Sequence, residues 1–161
     1  MWHTVFIVLH AAFGVISFAA GLVAIRSGNL FPVYLWSLVG TIVFLVLPVG
    51  AEWNQLEQAL RLLFVAFIVL GGFMLWRAAM AARIRPAGPS ERTAPYVAHV
   101  GFTLVALFDA FIVITVLDMG ASGWLVAASG VAFAIAGHFV LREAKRRLVP
   151  DGSSTPSTRL R

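Results

Sequence analysis

Five long apolar runs, separated by short stretches rich in glycine, proline and charge, dominate the chain: residues 4–25, 31–50, 60–82, 96–117 and 121–141. Each is close to the ~20 residues a helix needs to cross bilayer hydrocarbon. Apolar residues are continuous within each run, whereas a lipid-facing strand would alternate over about ten residues. The pattern therefore predicts an all-α fold, an integral membrane bundle of five transmembrane helices over residues 1–149. The first run is a span and not a signal peptide, being too long for an h-region and led by Met1-Trp2-His3 without a basic residue. Residues 84–95 hold Pro86, Gly88, Pro89 and Pro95 and form the one long connection, which divides three spans from a closing hairpin. Pro32 falls in a first turn, where proline is tolerated, and Pro48 near the end of its run. Residues 150–161 are polar and read as a disordered cytoplasmic tail.

Composition excludes most alternatives. Of 161 residues, 60% are hydrophobic and 12% charged, and the mean hydropathy is +0.91; a soluble domain averages about 45–50% apolar and about 25% charged. Without cysteine there are no disulfides, thiolate metal sites or Cys nucleophiles. The net charge of +5 is no nucleic-acid signature, because the cations sit at the ends of apolar runs. Arg26 follows span one; Arg77, Arg83, Arg85 and Arg92 close span three; Arg142, Lys145, Arg146, Arg147, Arg159 and Arg161 follow span five. With the N-terminus outside and the C-terminus inside, eleven of the twelve Lys and Arg residues are cytoplasmic, Arg61 being the exception beside Glu57. Trp2, Trp53 and Trp124 would then anchor the outer interface and Trp76 the inner one. The expected location is the plasma (inner) membrane, with the bilayer itself as first partner.

Helices in lipid associate through small residues. Span five carries Gly123, Ala127, Gly130, Ala134 and Gly137 in one arc, and span one carries Gly14, Ser17, Gly21 and Ala24. Both are expected seams. Ser17, Thr41, Thr103, Thr115 and Ser129 have no recognisable base and read as helix-to-helix hydrogen bonds.

Ionisable groups inside a span carry a functional hypothesis by default. Asp109, in mid-span four, would accept a proton, bind a cation, hold a histidine in one tautomer, or simply bond a neighbouring helix. His10 continues into the Gly14 seam, so a His10–Asp109 hydrogen bond is expected. His99 and His138 lie 21 and 18 residues from the turn near Gly120, a mismatch of about 4–5 Å in depth. Two such histidines on antiparallel helices suit bis-imidazole ligation of a b-type haem. The alternative for each is a plain interfacial hydrogen bond. The cluster from Arg142 to Arg147 reads as a basic anchor that attracts anionic lipid. No P-loop, G-x-S-x-G or H-E-x-x-H motif is present, and the single lysine, Lys145, lies beyond the spans, which removes a Schiff base within the bundle. No catalytic residue is assigned and an enzyme is not the expected reading.

The stretch His10-Ala11-Ala12-Phe13-Gly14 through Gly21, Ala24, Arg26 and Gly28 resembles the opening of a family of uncharacterised bacterial multi-span membrane proteins. Those proteins begin His-x3-Gly-x6-Gly-x2-Ala, then a basic residue and glycine, and are similar in design to small b-type cytochromes with histidines on bundle helices. Tyr96–Gly101, with His99, resembles a later histidine-bearing helix of the family. The family usually places a further histidine at the start of span two, where this chain has Leu30-Phe31-Pro32-Val33-Tyr34. The resemblance implies membership of that group and no particular activity.

Three functions follow. The first is a subunit, scaffold or partner-binding module, alone, as a homo-oligomer or with other membrane subunits. A second is a haem-binding redox protein with His99 and His138 as axial ligands. The third is a proton or small-solute pathway through Asp109 and His10. Four helices are expected to pack around His10, Asp109, His99 and His138, with the fifth peripheral.

Overall fold

The computed structural model describes residues 2–148, with side chains from residue 4 onward. It consists of α1 (Trp2–Ser27), α2 (Phe31–Ala51), α3 (Gln58–Arg83), α4 (Ala94–Asp118) and α5 (Gly123–Leu148), with 3-10 turns at Trp53–Gln55 and Pro89–Glu91 and no strand among the described residues. All five helices are long and apolar enough to cross a membrane. Their bounds match the predicted runs within two residues for α1 to α4. Helix α5 instead runs seven residues past its apolar run. Lys145, Arg146 and Arg147 in its last turn complement the negative end of the helix dipole, and Arg147 Nε pairs with Glu143 at 2.6 Å. The tail at 150–161 lies outside the described residues.

Local chemistry sets the turns. Gly28 ends α1 with φ +74°, its N–H donating to the Ala24 carbonyl at 2.8 Å. The connection after α3 folds back onto this turn, where Arg85 Nε donates to the Gly28 carbonyl at 3.0 Å. Thr93 caps α4 by accepting from the Tyr96 N–H, so Pro95 belongs to the first helical turn and not to the loop.

Helices α1 to α4 close a ring, each packing on the next and α4 on α1, while α5 lies outside on α4. One peripheral helix was expected, but it is α5 itself, the bearer of His138; Val126 is its one buried residue among those described. The α1 seam forms as expected, with Ser17, Gly21 and Ala24 buried. A Cβ on Gly21 would stand 2.7 Å from Leu104 Cδ2 and 3.1 Å from the Tyr34 ring, so that backbone approach needs glycine. The α5 seam forms only in part. Gly130 and Gly137 meet Val113 and Val105 of α4, whereas Gly123, Ala127 and Ala134 are exposed.

Tyrosines supply the polar core. Thr103 spends its single hydroxyl proton on the Val100 carbonyl at 2.7 Å, so the Tyr34 O–H donates to Thr103 Oγ1. Tyr96 O–H donates to the Ala24 carbonyl at 2.8 Å, and Ser17 Oγ to the Tyr34 carbonyl at 3.2 Å. Thr41, Thr115 and Ser129 instead bond carbonyls of their own helices, a reach of one turn that needs no neighbour. Tyr34→Phe is expected to cost about 1 kcal/mol. That lowers the melting temperature in detergent by about 2–4 °C; an unchanged melting curve would show that the bond adds no stability.

Candidate functional site: a line of ionisable groups along α4

On α4, His99, Phe102, Ala106 and Asp109 are spaced 3-4-3 and share one face. Helix α3 runs antiparallel beside it. Arg77 Nη2 donates to the Ala98 carbonyl at 2.7 Å, its guanidinium lies 5.1 Å from the Phe102 ring, and Phe73 meets Phe102 edge-on at 5.2 Å. Arg77 thus enters the bundle six residues before α3 ends, held by a carbonyl and ring faces. Arg77 Nε and His99 Nδ1 are both buried without a hydrogen-bond partner.

Helix α5 fixes the level of His138. Gly101 faces Leu141, Gly137 faces Val105 and Gly130 faces Val113. These pairings put His138 level with residue 104, five residues from His99, or about 7–8 Å along the axis. Asp109 follows five residues further on, another ~7–8 Å. Asp109 and His138 line the same cavity of about 220 Å³ between α3, α4 and α5, with Leu70 and Phe102 in its wall. His138 is exposed at the rim, while Asp109 Oδ1 is buried and unpartnered. The cavity exceeds the ~10–15 Å³ that one water needs, and it offers that water a carboxylate and an imidazole. Past Asp109, the buried Val113 and Val126 close the same interface with apolar side chains.

His10 lies elsewhere. Its Nδ1–H donates to the Thr41 carbonyl at 2.7 Å, on the α1–α2 side, and the expected bond to Asp109 is not formed. An α2 carbonyl comes within reach before α4 does, because α1 and α2 share the most extensive contact of the bundle.

A haem between two axial histidines requires both imidazoles on one iron from opposite faces. His99 and His138 do not fit that demand. Their levels differ by more than hairpin counting suggests, His138 opens on the cavity with Asp109, and His99 lines neither that cavity nor the larger one beside α1. Among the described residues, no group of three or more His, Asp or Glu side chains stands close enough to hold a metal. Haem binding is not supported. Arg77 is the residue that the sequence reading undervalued. Its signal was the apolar stretch Ala78–Ala82 between it and Arg83, which places Arg77 a turn and a half inside the helix.

Fold and site together define a bundle of membrane-length helices in which Asp109 and His138 share one cavity, with His99 and Arg77 further along toward the basic end. Compared with known proteins, the chain matches no family model, no curated protein and no solved structure.

Proposed function

We propose that this chain is a multi-pass plasma-membrane protein, N-terminus outside and C-terminus inside, that passes protons between the cytoplasmic face and Asp109. One observation carries the reading: Asp109, whose Oδ1 has no protein partner, and His138 line one cavity large enough for several waters, on the face of α4 that also carries His99. A neutral imidazole accepts a proton on one nitrogen and releases another from the opposite one, so His99 and His138 serve as relays and Asp109 as the acceptor. The guanidinium of Arg77 at the entrance repels metal cations, which favours protons as the species carried. The apolar closure beyond Asp109 makes the path one-sided, and transfer to the far face requires α5 to shift on α4. That helix is the least enclosed of the five, as a moving element must be.

The test is proton entry into liposomes holding a pH-sensitive dye under a potassium diffusion potential. Wild-type protein is expected to exceed protein-free vesicles, and Asp109→Asn to fall to their level, a loss of at least tenfold. Wild-type flux in Asp109→Asn would sink the proposal. The reading as a subunit or scaffold is favoured by one observation, the weak enclosure of α5, which leaves its outer face free for a partner helix. In that case Asp109→Asn is silent, and Gly130→Leu, which pushes α5 off Val113, abolishes the oligomer seen by cross-linking.

A further inference from the structure

On the other side of α5 lies a larger apolar slot of about 560 Å³, walled by α1, α4 and α5. Its inner end is shut by phenylalanines. Phe18 stacks on Phe108 at 6.2 Å, and Phe108 meets Phe133 edge-on at 5.9 Å. Its other end reaches Arg26 and Leu148 at the basic end of the bundle. Its α1 wall runs from Phe18 to Arg26 and its α4 wall from Gly101 to Phe108, about 10–12 Å of helix, within a leaflet of roughly 15 Å of hydrocarbon, while α5 alone runs on to Leu148. An apolar slot of this length takes the part of one acyl chain next to its headgroup, with the headgroup left at the mouth.

The mouth states which headgroup. Arg26 is exposed and forms no hydrogen bond or ion pair among the described residues. Lys145 lies on the same inward side of α5 as Leu141 and Leu148, one turn from each, and is half-buried there. The acid nearest in sequence, Glu143, is engaged by Arg147. A zwitterionic headgroup would bring its own cation against Arg26 and Lys145, where no free carboxylate stands among the described residues, whereas a phosphate of net negative charge is met by two cations. We infer that the α1–α4–α5 slot binds a single anionic phospholipid, one acyl chain between Phe18 and Phe133 and its phosphate on Arg26 and Lys145.

This inference is independent of the proton pathway, whose cavity lies on the α3 side of α5. The test is native mass spectrometry of protein released from nanodiscs of equal phosphatidylglycerol and phosphatidylcholine. Wild-type protein is expected to retain one phosphatidylglycerol per chain, in at least fivefold preference. The Arg26→Gln/Lys145→Gln variant is expected to lose that preference, and Ala136→Trp, which fills the slot, to lose the retained lipid. Equal retention of the two lipids by the wild type would overturn the inference, as would an undiminished preference in Arg26→Gln/Lys145→Gln. These two outcomes decide the matter even if Ala136→Trp fails to fold.

Discussion

Gly21→Leu is expected to destabilise the folded bundle strongly. Position 21 is where α1 crosses α4 and α2 together, and even a Cβ there would reach within 2.7 Å of Leu104 and 3.1 Å of the Tyr34 ring. Leu104 is buried in the core cluster and can yield only toward the slot between α1, α4 and α5. Tyr34 is tethered through its hydroxyl to Thr103 and through its carbonyl to Ser17. A leucine side chain therefore displaces three helices at once. Overpacking of a closed core costs about 1–3 kcal/mol and occasionally more. At the upper end that lowers the melting temperature by about 6–12 °C for a chain of this length. Gly72→Leu is the control: it sits mid-helix in α3, nothing lies within 4 Å of its Cβ position, and its melting curve is expected to match wild type. Thermal scanning of both variants in the same detergent settles the point. Equal melting temperatures would mean that Gly21 does not fix the crossing.

The contrast between those two glycines marks how far the fold was legible. Apolar run length exposes the helices directly, because backbone polar groups in hydrocarbon must be satisfied within the segment. Small-residue spacing exposes the α1 seam for a related reason: close approach of two backbones leaves room only for Gly, Ser and Ala. The same spacing misleads on α5, where only Gly130 and Gly137 meet α4 tightly. A stripe shows that a helix is able to pack closely; it does not name the neighbour. That neighbour depends on ring closure by α1 to α4, a property of all four sequences together.

Site legibility divides in the same way. Asp109, His99 and His138 stood out because ionisable residues in apolar runs are costly. Their grouping did not, since depth counted from the Gly120 turn assumes equal rise on both arms. The contacts at Gly101, Gly137 and Gly130 instead shift α5 relative to α4, moving His138 away from His99 and toward Asp109. His10 was paired with the wrong partner because a backbone carbonyl, Thr41's, is invisible to side-chain reasoning. Tyr34 and Tyr96 carried no signal as buried donors for an analogous reason: one of the acceptors, the Ala24 carbonyl, is main chain.

Asp109→Leu is expected to raise stability while abolishing proton transfer. Oδ1 of Asp109 is buried and no protein group donates to it, and a buried polar group left without a protein partner costs about 1–3 kcal/mol. Leucine is close to aspartate in length and shares the cavity wall with Leu70, Phe102 and Ala106, so it replaces an acceptor that no protein group meets with apolar contacts. A gain of about 1–2 kcal/mol corresponds to a rise of about 2–8 °C in melting temperature, with proton flux at the level of protein-free vesicles. Both halves are needed. A structural aspartate bonded to a neighbouring helix would destabilise the bundle when removed, and a melting temperature below wild type would identify it as such. A residue retained for transfer shows the opposite sign, because its unsatisfied oxygen is a cost borne by the fold for the sake of activity. Asp109→Asn separates polarity from protonation: it keeps a polar group in the cavity but cannot carry the proton, so it is expected to stop flux with little change in melting temperature.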